Sequence, residues 1–544
     1  MENLYYEVAL PLPLRNSFTY SSNIKISNGS RVQVPFRNRE IVGYVLKKQS
    51  SPNVKSIKPI TKVLDRNSLI DKPSYDLIHW IANYYKAPIG EIFKSYFPPF
   101  LRKGKEIKDS IEVYAITNLG KLASKESFGR AKKQFEALEV FQQKLELSRP
   151  GLKANKISKA ILDALISKGY LEKKSRNRNE LKTNKELNLE AFFELNVEQN
   201  KIYKSIKNSS ANLAHLIFGV TGSGKTEIYF HLIRDFIQKG KQVLILVPEI
   251  GLTPNLKAEI ERRFGEDNVA LLHSEMSEKD RAHAWNDINK GFKSILIGTR
   301  SAIFTPFKDL GLIVVDEEHD SSYKQIDGFR YSARDVAVYR ANLEKIPVIM
   351  CSATPSLESL KNCQDEKYCL HKLTRRVKDA RQPKFEISDL RSSELKSGLT
   401  EYSLNEISKE LSKGNQVLVF LNKKGYAPMV FCNKCGWTPE CSNCDVSMVY
   451  HINPKRLVCH HCGTKHPMPV ACLNCNEESL EFFHTGTEKL EEFLKEYFKN
   501  TPVIRVDREA LGKEQLRSNS VLPDSKEPLI LVGTQILAKG HHMP

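Results

Sequence analysis

A glycine-rich segment, Gly219 to Thr226, constrains the fold of this chain more than any other part of its sequence. The segment reads GVTGSGKT and fits the pattern G-x-x-x-x-G-K-[ST], with an apolar strand pattern before it and a helical pattern after it. In that context backbone amides converge on phosphate at a helix N-terminus, so we expect a P-loop that binds ATP. Lys225 is expected to meet the β- and γ-phosphates, and Thr226 to ligate Mg²⁺. The predicted ATP contacts in the loop are Gly219, Val220, Thr221, Gly222, Ser223, Gly224, Lys225 and Thr226.

Two further motifs follow apolar strands downstream of the P-loop. The first, Asp-Glu-Glu-His, places Asp316 where a carboxylate holds Mg²⁺ and Glu317 where it can deprotonate the attacking water. The second, Ser-Ala-Thr, ends at Thr354 and resembles the motif of superfamily-2 helicases that couples hydrolysis to movement. The three motifs in this order are typical of an ATP-driven motor and argue against kinases and signalling GTPases. The predicted catalytic residues are Lys225, Thr226, Asp316, Glu317 and Thr354.

Apolar strand patterns alternate with helical patterns in two series, as in parallel sheets covered by helices on both faces. We therefore predict a multidomain α/β protein with two lobes, at residues 195–380 and 390–544. The predicted strands are Leu216–Phe218, Val243–Val247, Leu312–Val315 and Val348–Met350 in the first lobe, and Val417–Leu421 and Leu529–Val532 in the second.

Two smaller domains are predicted ahead of the lobes. Residues 1–104 alternate short apolar runs with turn residues, which predicts a β-rich domain. Within residues 105–180, helices over Phe135 to Leu147 and Ile157 to Lys168, followed by a short strand, indicate a winged helix. Lys173 to Arg178 is predicted to be a solvated, charged linker.

Eight of the 11 cysteines fall into four Cys-x-x-Cys pairs, in a predicted insertion at residues 431–476 of the second lobe. Eight thiolates make two closed Cys₄ sites, which is a ligand set of structural zinc, so we expect two Zn²⁺. The four pairs can combine in three ways; redox disulfides and iron–sulfur ligation are the alternative interpretations. The other cysteines, Cys351, Cys363 and Cys369, are expected to pack as small apolar groups.

The net charge of the chain favours a polyanionic partner. Lys plus Arg is 83 against 64 for Asp plus Glu, a formal charge of +19, and each phosphate contact would release condensed counterions. The N-terminus has no signal-peptide pattern, and no apolar run approaches the ~20 residues that span a bilayer. We therefore expect a cytoplasmic protein with no membrane partner, in reducing conditions that disfavour structural disulfides.

Further segments along the chain contribute, with the three motifs, to a family resemblance. They are Pro11–Leu14, Phe18–Tyr20, Gly29–Phe36, Leu195–Gln199, Leu246–Pro254, Leu272–Ser277, Ile297–Ala302, Asp320–Tyr331, Asn422–Pro428 and Gly533–His542. Together with the three motifs, they resemble the PriA family of primosomal replication-restart helicases, in superfamily 2. The resemblance implies two RecA-like lobes and an ATP-dependent 3′-to-5′ DNA helicase that recognises stalled or abandoned forks. It also implies replication restart through primosome assembly.

The resemblance assigns roles to individual residues. Gln199 is expected to read adenine, and Phe18, Thr19 and Tyr20 to form a pocket for a DNA 3′ end, although many members carry Asp where this chain has Thr19. Aromatic residues interleaved with cations after the Asp-Glu-Glu-His motif suit stacking on bases. DNA contact and coupling are assigned to Arg300, His319, Tyr323, Lys324, Arg330 and Lys539. The zinc sites are nested, with Cys441, Cys444, Cys459 and Cys462 inside and Cys432, Cys435, Cys472 and Cys475 outside.

The partners that the resemblance implies are forked and single-stranded DNA, primosome proteins, single-strand binding protein and the replicative helicase loader. The alternative function is a fork- and 3′-end-binding scaffold with little ATPase activity. A zinc-binding transcription factor would not explain the ordered motifs. The sequence stops at Pro544, before an arginine motif of the family, so we expect a C-terminally truncated chain that hydrolyses ATP poorly alone.

Overall fold

The structure, a computed structural model, divides into two compact units, residues 1–380 and residues 381–544. It describes residues 4–50, 56–65, 67–107, 110–129, 131–148, 151–152, 155, 157–177, 191–209, 214–248, 253–377, 383–388, 395–421, 429–432, 434–444, 446–451, 456–459, 461–483, 487–506 and 527–533. In this part of the chain, no helix combines the length and apolarity that crossing a bilayer requires.

A six-stranded sheet opens the first unit and confirms the β-rich prediction. Its order is β5-β2-β1-β4-β3-β6, and the strands are β1 (Leu4–Ala9), β2 (Phe18–Ser22), β3 (Arg31–Phe36), β4 (Arg39–Gln49), β5 (Lys58–Pro59) and β6 (Lys62–Val63). Three helices follow: α1 (Lys72–Tyr84), α2 (Ile89–Tyr96) and α3 (Pro99–Arg102). A buried ion pair of Arg31 with Asp65, 2.8 Å apart, ties the sheet to the segment before α1.

A second, antiparallel sheet has three strands in the order β8-β7-β9. Its elements are β7 (Ser110–Ile116), α4 (Asn118–Leu122), α5 (Lys132–Lys144), β8 (Glu146–Ser148), α6 (Lys159–Ser167) and β9 (Leu171–Asn177). Apolar side chains of α5 and α6 form one core with this sheet. The winged-helix assignment stays a prediction.

Two predictions in this region were wrong. The helix predicted to reach Leu147 ends at Lys144, because Leu145 turns into positive φ (59°) and Leu147 pairs in β8. The predicted linker is instead a strand over Lys173 to Asn177, paired along β7; Arg178 lies outside the described residues. As an edge strand, β9 tolerates charges, and Glu112 and Glu146 pair with its cations.

The rest of the first unit is a seven-stranded parallel sheet, ordered β12-β13-β11-β14-β17-β10-β18, with apolar cores on both faces. Its strands are β10 (Ala214–Gly219), β11 (Gln242–Leu246), β12 (Val269–Leu272), β13 (Ile295–Gly298), β14 (Leu310–Val315), β17 (Val348–Ser352) and β18 (Tyr368–Leu373). Its helices are α7 (Val197–Lys207), α8 (Lys225–Gln238), α9 (Thr253–Phe264), α10 (Glu278–Asn289), α11 (Ala333–Glu344) and α12 (Leu357–Gln364). A short hairpin, β15 (Lys324–Gln325) and β16 (Tyr331–Ser332), follows β14.

The second unit contains a parallel sheet ordered β21-β28-β27 and an antiparallel five-stranded sheet ordered β25-β24-β23-β22-β26. Its elements are β19 (Leu395–Lys396), β20 (Leu399–Thr400), α13 (Glu401–Ser412), β21 (Val417–Phe420), β22 (Met429–Cys432), β23 (Val449–His451), β24 (Arg456–Val458), β25 (Lys465–Pro467), β26 (Leu480–Phe483), α14 (Thr487–Tyr497), β27 (Val503–Val506) and β28 (Ile530–Gly533). The cysteine-rich sheet interrupts the parallel one, which confirms an α/β lobe with an insertion.

Candidate nucleotide, DNA and zinc sites

The P-loop connects β10 to α8 in the conformation that its glycines allow. Gly222 and Gly224 both take φ of 76°, a region costly for other residues. A Cβ atom on Gly224 would lie 2.3 Å from the side-chain nitrogen of Gln199, so the close approach also requires glycine. The amine of Lys225 donates to the carbonyl oxygen of Gly219 at 2.9 Å and so lies across the loop. The turn presents its backbone at the N-terminus of α8, as an anion site requires.

Gln199 is bound to the P-loop itself. Its Nε2 donates to the carbonyl oxygen of Ser223 at 2.9 Å, and its Oε1 accepts from the backbone N–H of Asn196. The side chain is only 3% exposed. Its position braces the loop from the start of α7, and the predicted contact with adenine stays a prediction.

Asp316 and Glu317 lie at the carboxyl end of β14. The hydroxyl of Tyr229, on α8, hydrogen-bonds to Asp316 and also to the Thr226 side chain, so it links the two predicted magnesium ligands. Burial, and then the charge of Glu317, raises the pKa of Asp316 to about 6. A carboxylate and a hydroxyl are the hard oxygen donors that Mg²⁺ prefers, so these residues fit the ion.

The third residue of the same motif, Glu318, has a role that sequence reasoning missed. Its carboxylate is fully buried and accepts from Arg334 Nη1 (3.2 Å), Ser356 N (2.7 Å), Ser356 Oγ (3.0 Å) and Ser359 Oγ (2.9 Å). Glu318 therefore fastens the motif to the N-terminus of α12, directly after the Ser-Ala-Thr segment. A Ser at the N-cap of a helix was the available signal, but nothing local connects it to Glu318.

His319 connects the carboxylates to the Ser-Ala-Thr segment. Its Nδ1 lies 2.8 Å from the hydroxyl of Ser352 and 3.5 Å from a carboxylate oxygen of Glu317. The same hydroxyl accepts from the backbone N–H of Thr354 at 2.9 Å. Thr354 is thereby connected to Glu317 through two side chains.

The loop after the motif separates its aromatic residues from its cations. Tyr323, Phe329 and Tyr331 are all under 10% exposed and pack in the core, whereas Lys324 and Arg330 are exposed. In this conformation the buried rings have no face available for a base. The predicted stacking therefore requires the loop to move, and DNA contact by the cations stays a prediction.

Two contacts join this loop to neighbouring motifs. The Tyr323 hydroxyl hydrogen-bonds to the carbonyl oxygens of Leu246 (2.9 Å) and Asp316 (2.5 Å). Arg300 Nη1 donates to the carbonyl oxygen of Ser322 at 3.3 Å and approaches that of Lys324 at 3.4 Å. The loop is thus attached both to the end of β14, at Asp316, and to the Gly-Thr-Arg segment.

A cationic cavity of about 290 Å³ lies between α2–α3 and this loop. Its lining includes Lys94, Arg102 and Arg281, together with Phe329 and Tyr331. Burial lowers the pKa of both arginines, and their mutual repulsion lowers that of Arg102 further. The cavity therefore concentrates positive charge beside the loop.

The predicted 3′-end residues lie together on β2. The Phe18 ring meets the ring of Phe36 edge to face at 5.1 Å, Thr19 Oγ1 donates to Gln49 at 3.1 Å, and Tyr20 is buried. A groove of about 620 Å³ is lined by residues 12–14 and 36–39. Phe18, Thr19 and Tyr20 do not line that groove themselves.

The eight paired cysteines form two groups of four, whose sulfur atoms lie within 4.8 Å of one another in each group. The groups match the nested assignment: Cys441, Cys444, Cys459 and Cys462, and Cys432, Cys435, Cys472 and Cys475. Sulfur pairs across each group are 3.5 to 3.6 Å apart. Tetrahedral zinc with ~2.3 Å bonds needs sulfurs about 3.8 Å apart, so both groups fit Zn²⁺.

Turns with positive φ allow the cysteine pairs to curl around a metal. Gly436 (71°), Gly463 (79°) and Asn476 (57°) each follow a second cysteine. Hydroxyl groups of Ser479 and Thr464 lie 3.0 Å from Cys432 and Cys462, respectively. These contacts orient the thiolates.

Some predicted positions cannot be placed. Lys539 lies outside the described residues, as do residues 249–252, 422–428 and 534–542 of the motifs.

Three family models match the chain. The 3′DNA-binding domain (3′BD) matches residues 7–98, the DEAD/DEAH box helicase residues 196–363, and the PriA DNA helicase Cys-rich region (CRR) domain residues 441–467. The three matches fall on the first sheet, the seven-stranded lobe and the cysteine-rich sheet.

Curated relatives match most of the chain, and two of them match 99% of it. Replication restart protein PriA of Haemophilus influenzae is 39% identical over 99% of this chain and 75% of the relative. The protein of the same name from Chlamydia pneumoniae is 33% identical over 99% and 74%, respectively. That of Bacillus subtilis is 38% identical over 64% of this chain and 44% of its own length.

Solved structures show a weaker likeness. RecG bound to a three-way DNA junction is 16% identical with a TM-score of 0.35, over 64% of this chain and 38% of that one. Mss116p bound to ssRNA and AMP-PNP is 15% identical with a TM-score of 0.35, over 70% and 67%.

Proposed function

The chain belongs to the family of replication restart protein PriA, and we propose that it is an ATP-dependent 3′-to-5′ DNA helicase acting at stalled or abandoned replication forks. One observation supports the proposal above the others. The P-loop, the Asp-Glu-Glu-His motif and the Ser-Ala-Thr segment meet at the carboxyl edge of one parallel sheet. Hydrogen bonds connect them to a loop that carries exposed cations.

We assign the hydrolytic step to five side chains. Lys225 would neutralise the β- and γ-phosphates of ATP, and Thr226 and Asp316 would hold Mg²⁺. The ion supplies positive charge to the transferring phosphate. Glu317, 40% exposed at the end of β14, would orient the attacking water and take its proton. Thr354 would be coupled to ATP hydrolysis at Glu317 through the contacts of Ser352 and His319.

We assign DNA contact to the surface beside the 320–331 loop. Lys324 and Arg330 are exposed, and the adjacent cavity carries three cations, so phosphate binding is favoured there. Arg300 and Tyr323 would transmit DNA binding to Asp316 through backbone contacts. Lys539, which lies outside the described residues, is also proposed to contact DNA.

We assign capture of a DNA 3′ end to the first sheet, around Phe18, Thr19 and Tyr20. The matched 3′DNA-binding family model supports this placement. Thr19 is occupied by a hydrogen bond to Gln49 and carries no charge, so we expect recognition here to depend little on a carboxylate.

Beyond the enzyme itself, the proposed partners are primosome proteins, single-strand binding protein and the replicative helicase loader. The curated relatives named above are bacterial replication restart proteins, so we place the chain in the cytoplasm with the chromosome.

The deciding experiment measures ATP hydrolysis with and without forked DNA. We expect DNA stimulation in the wild type and a loss of about 100-fold in Lys225→Ala, the usual scale for removing one transition-state contact. Lys239→Ala is the matched control, because Lys239 is an exposed lysine at the other end of the same helix. Stimulated hydrolysis that survives Lys225→Ala would refute the assignment. Fork binding with no hydrolysis in any variant would leave a binding scaffold.

A further inference from the structure

Three side chains outside the sites above meet on one face of the seven-stranded sheet. They are His215 on β10 and Cys369 and His371 on β18. Cys369 is the direct register partner of His215, and His371 lies two residues further along the same face. One ring nitrogen of each histidine and the Cys369 sulfur lie within 4.8 Å of one another. The parallel pairing of two strands therefore assembles two imidazoles and a thiol.

Hydrogen bonds fix the orientation of the His215 ring. The Ser209 hydroxyl lies 2.7 Å from the carbonyl oxygen of Ile206 and 3.0 Å from His215 Nε2. When its one proton goes to the carbonyl oxygen, the hydroxyl accepts from His215 Nε2–H, which leaves a lone pair on His215 Nδ1. That lone pair faces His371 Nε2 at 3.1 Å. A tetrahedral ion with ~2.0 Å bonds needs two nitrogens about 3.3 Å apart, close to the observed separation.

We propose that His215 Nδ1, His371 Nε2 and Cys369 Sγ bind a divalent transition-metal ion of the zinc or cobalt(II) class, as a third metal site of this protein. Two imidazoles and a thiolate suit such an ion and do not suit Mg²⁺ or Ca²⁺. On binding, the His371 proton shifts from Nε2 to Nδ1, and the Cys369 thiol releases its proton to solvent. The charge of the ion is then partly balanced by one thiolate.

The residues around the three side chains leave a path for the ion past Cys369 and hold the His215 ligand in one orientation. His215 is fully buried and His371 is 7% exposed, whereas Cys369 is half-buried on the edge strand of the sheet. An ion can therefore enter past Cys369, and solvent can supply a fourth ligand. Ser209 holds the His215 ring in the ligating orientation, as a hydrogen-bond partner of a metal-bound imidazole usually does.

The site lies one strand length from the P-loop. β10 runs directly into Gly219, and the backbone N–H of Val220 donates to the carbonyl oxygen of Leu373 at the end of β18 (3.3 Å). An ion bound by residues of both β10 and β18 would hold the two strands together at positions that precede this contact in the chain. Metal binding should therefore raise the thermal unfolding midpoint of the first unit, independently of helicase activity.

The test adds Co²⁺ to the full zinc-loaded chain. Total metal per chain is measured by mass spectrometry, and the thiolate-to-cobalt charge-transfer band reports sulfur ligation. We expect one ion beyond those held by the two Cys₄ groups, with the band absent in Cys369→Ser. Affinity for this ion should fall on the order of 100-fold in His371→Gln and roughly 10-fold in Ser209→Ala.

Cys363→Ser is the matched control, because Cys363 is a half-buried cysteine near Cys369 that lies outside the cluster. It should retain the additional ion and the band. Circular dichroism checks that each variant is folded, and Ser at the half-buried Cys369 should be tolerated. The proposal is overturned if the wild type binds no additional ion, or if Cys369→Ser binds Co²⁺ as the wild type does.

Discussion

The hydroxyl of Tyr323 lies 2.5 Å from the carbonyl oxygen of Asp316, and this contact joins the loop proposed to meet DNA to the residue proposed to hold Mg²⁺. The same hydroxyl also meets the carbonyl oxygen of Leu246, on the neighbouring strand. The hydroxyl has one proton and cannot hydrogen-bond fully to both carbonyl oxygens. A small movement of the loop would therefore shift the hydrogen bond between the end of β11 at Leu246 and the end of β14 at Asp316. DNA binding proposed at the loop would therefore have a short path to Asp316, the proposed Mg²⁺ ligand.

Tyr323→Phe should uncouple ATP hydrolysis from DNA. The substitution keeps the buried ring and removes only the hydroxyl, so we expect hydrolysis without DNA to change less than twofold. Stimulation by forked DNA should fall roughly 5–10-fold, which corresponds to about 1–1.4 kcal/mol for one hydrogen bond. Steady-state ATPase assays over a DNA titration measure both quantities.

Tyr497→Phe is the control for that experiment, because Tyr497 is an exposed tyrosine of the second unit. Equal stimulation in Tyr323→Phe and wild type would show that the hydroxyl carries no coupling.

Glu318→Ala should destabilise the first unit more than any exposed acidic substitution. It would leave Arg334, 16% exposed on its side chain, without its buried partner and remove the acceptor of Ser356 N. Breaking a buried pair costs about 3–5 kcal/mol. Arg334 keeps Asp335 at 3.0 Å, so we expect a loss of about 3 kcal/mol and a fall of several degrees in the thermal unfolding midpoint.

The matched control for this prediction is Glu358→Ala, an exposed glutamate on the adjoining helix α12. Calorimetry that finds equal midpoints for the two variants would contradict the bracing role of Glu318.

The sequence predicted the type of site where a short segment contains all the residues needed. It did not predict contacts between residues that are far apart in the chain. The P-loop at Gly219 to Thr226 and the four cysteine pairs have fixed spacings, so their type of site could be identified without a structure. The brace at Glu318 could not, because its partners lie up to 41 residues away. The sequence predicted only the start of β9 as a short strand and missed its extension over Lys173 to Asn177 for a similar reason. The charges there indicated solvent, whereas the pairing with β7 places the segment at a sheet edge.

Cys459→Ser should remove one zinc ion per chain and leave the other Cys₄ group filled. Cys459 is fully buried in the inner group, and a closed four-thiolate site loses most of its affinity with one ligand gone. Metal analysis of freshly purified protein measures the loss. The control is Cys351→Ser, a buried cysteine outside both groups, which should keep the wild-type zinc content. Unchanged zinc in Cys459→Ser would contradict zinc binding by Cys459.

The buried pair of Glu227 with Arg263 should make the stability of the first unit depend on pH. Burial alone would raise the pKa of Glu227, but hydrogen bonds from His231 and Arg263 outweigh it and lower the pKa below the usual value. A carboxyl group with a lowered folded-state pKa contributes stability that is fully present above the unfolded value, about 4.3. That contribution is lost as the pH falls from there through the folded-state pKa.

Glu227→Gln should therefore be less stable than the wild type at pH 7, by about 3 kcal/mol, since Arg263 is only 2% exposed and loses its closer carboxylate, keeping only the more exposed Glu259 at 3.4 Å. The gap between the two proteins should narrow below about pH 4.3, because the wild type then loses the same interaction by protonation. Thermal unfolding midpoints measured from pH 7 down to the lowest pH at which both proteins stay folded would show this convergence. Glu261→Gln, which removes a glutamate on α9 that pairs with Lys257, is the control and should run parallel to the wild type. A constant gap across the range would mean that Glu227 stabilises the fold through packing and not through its charge.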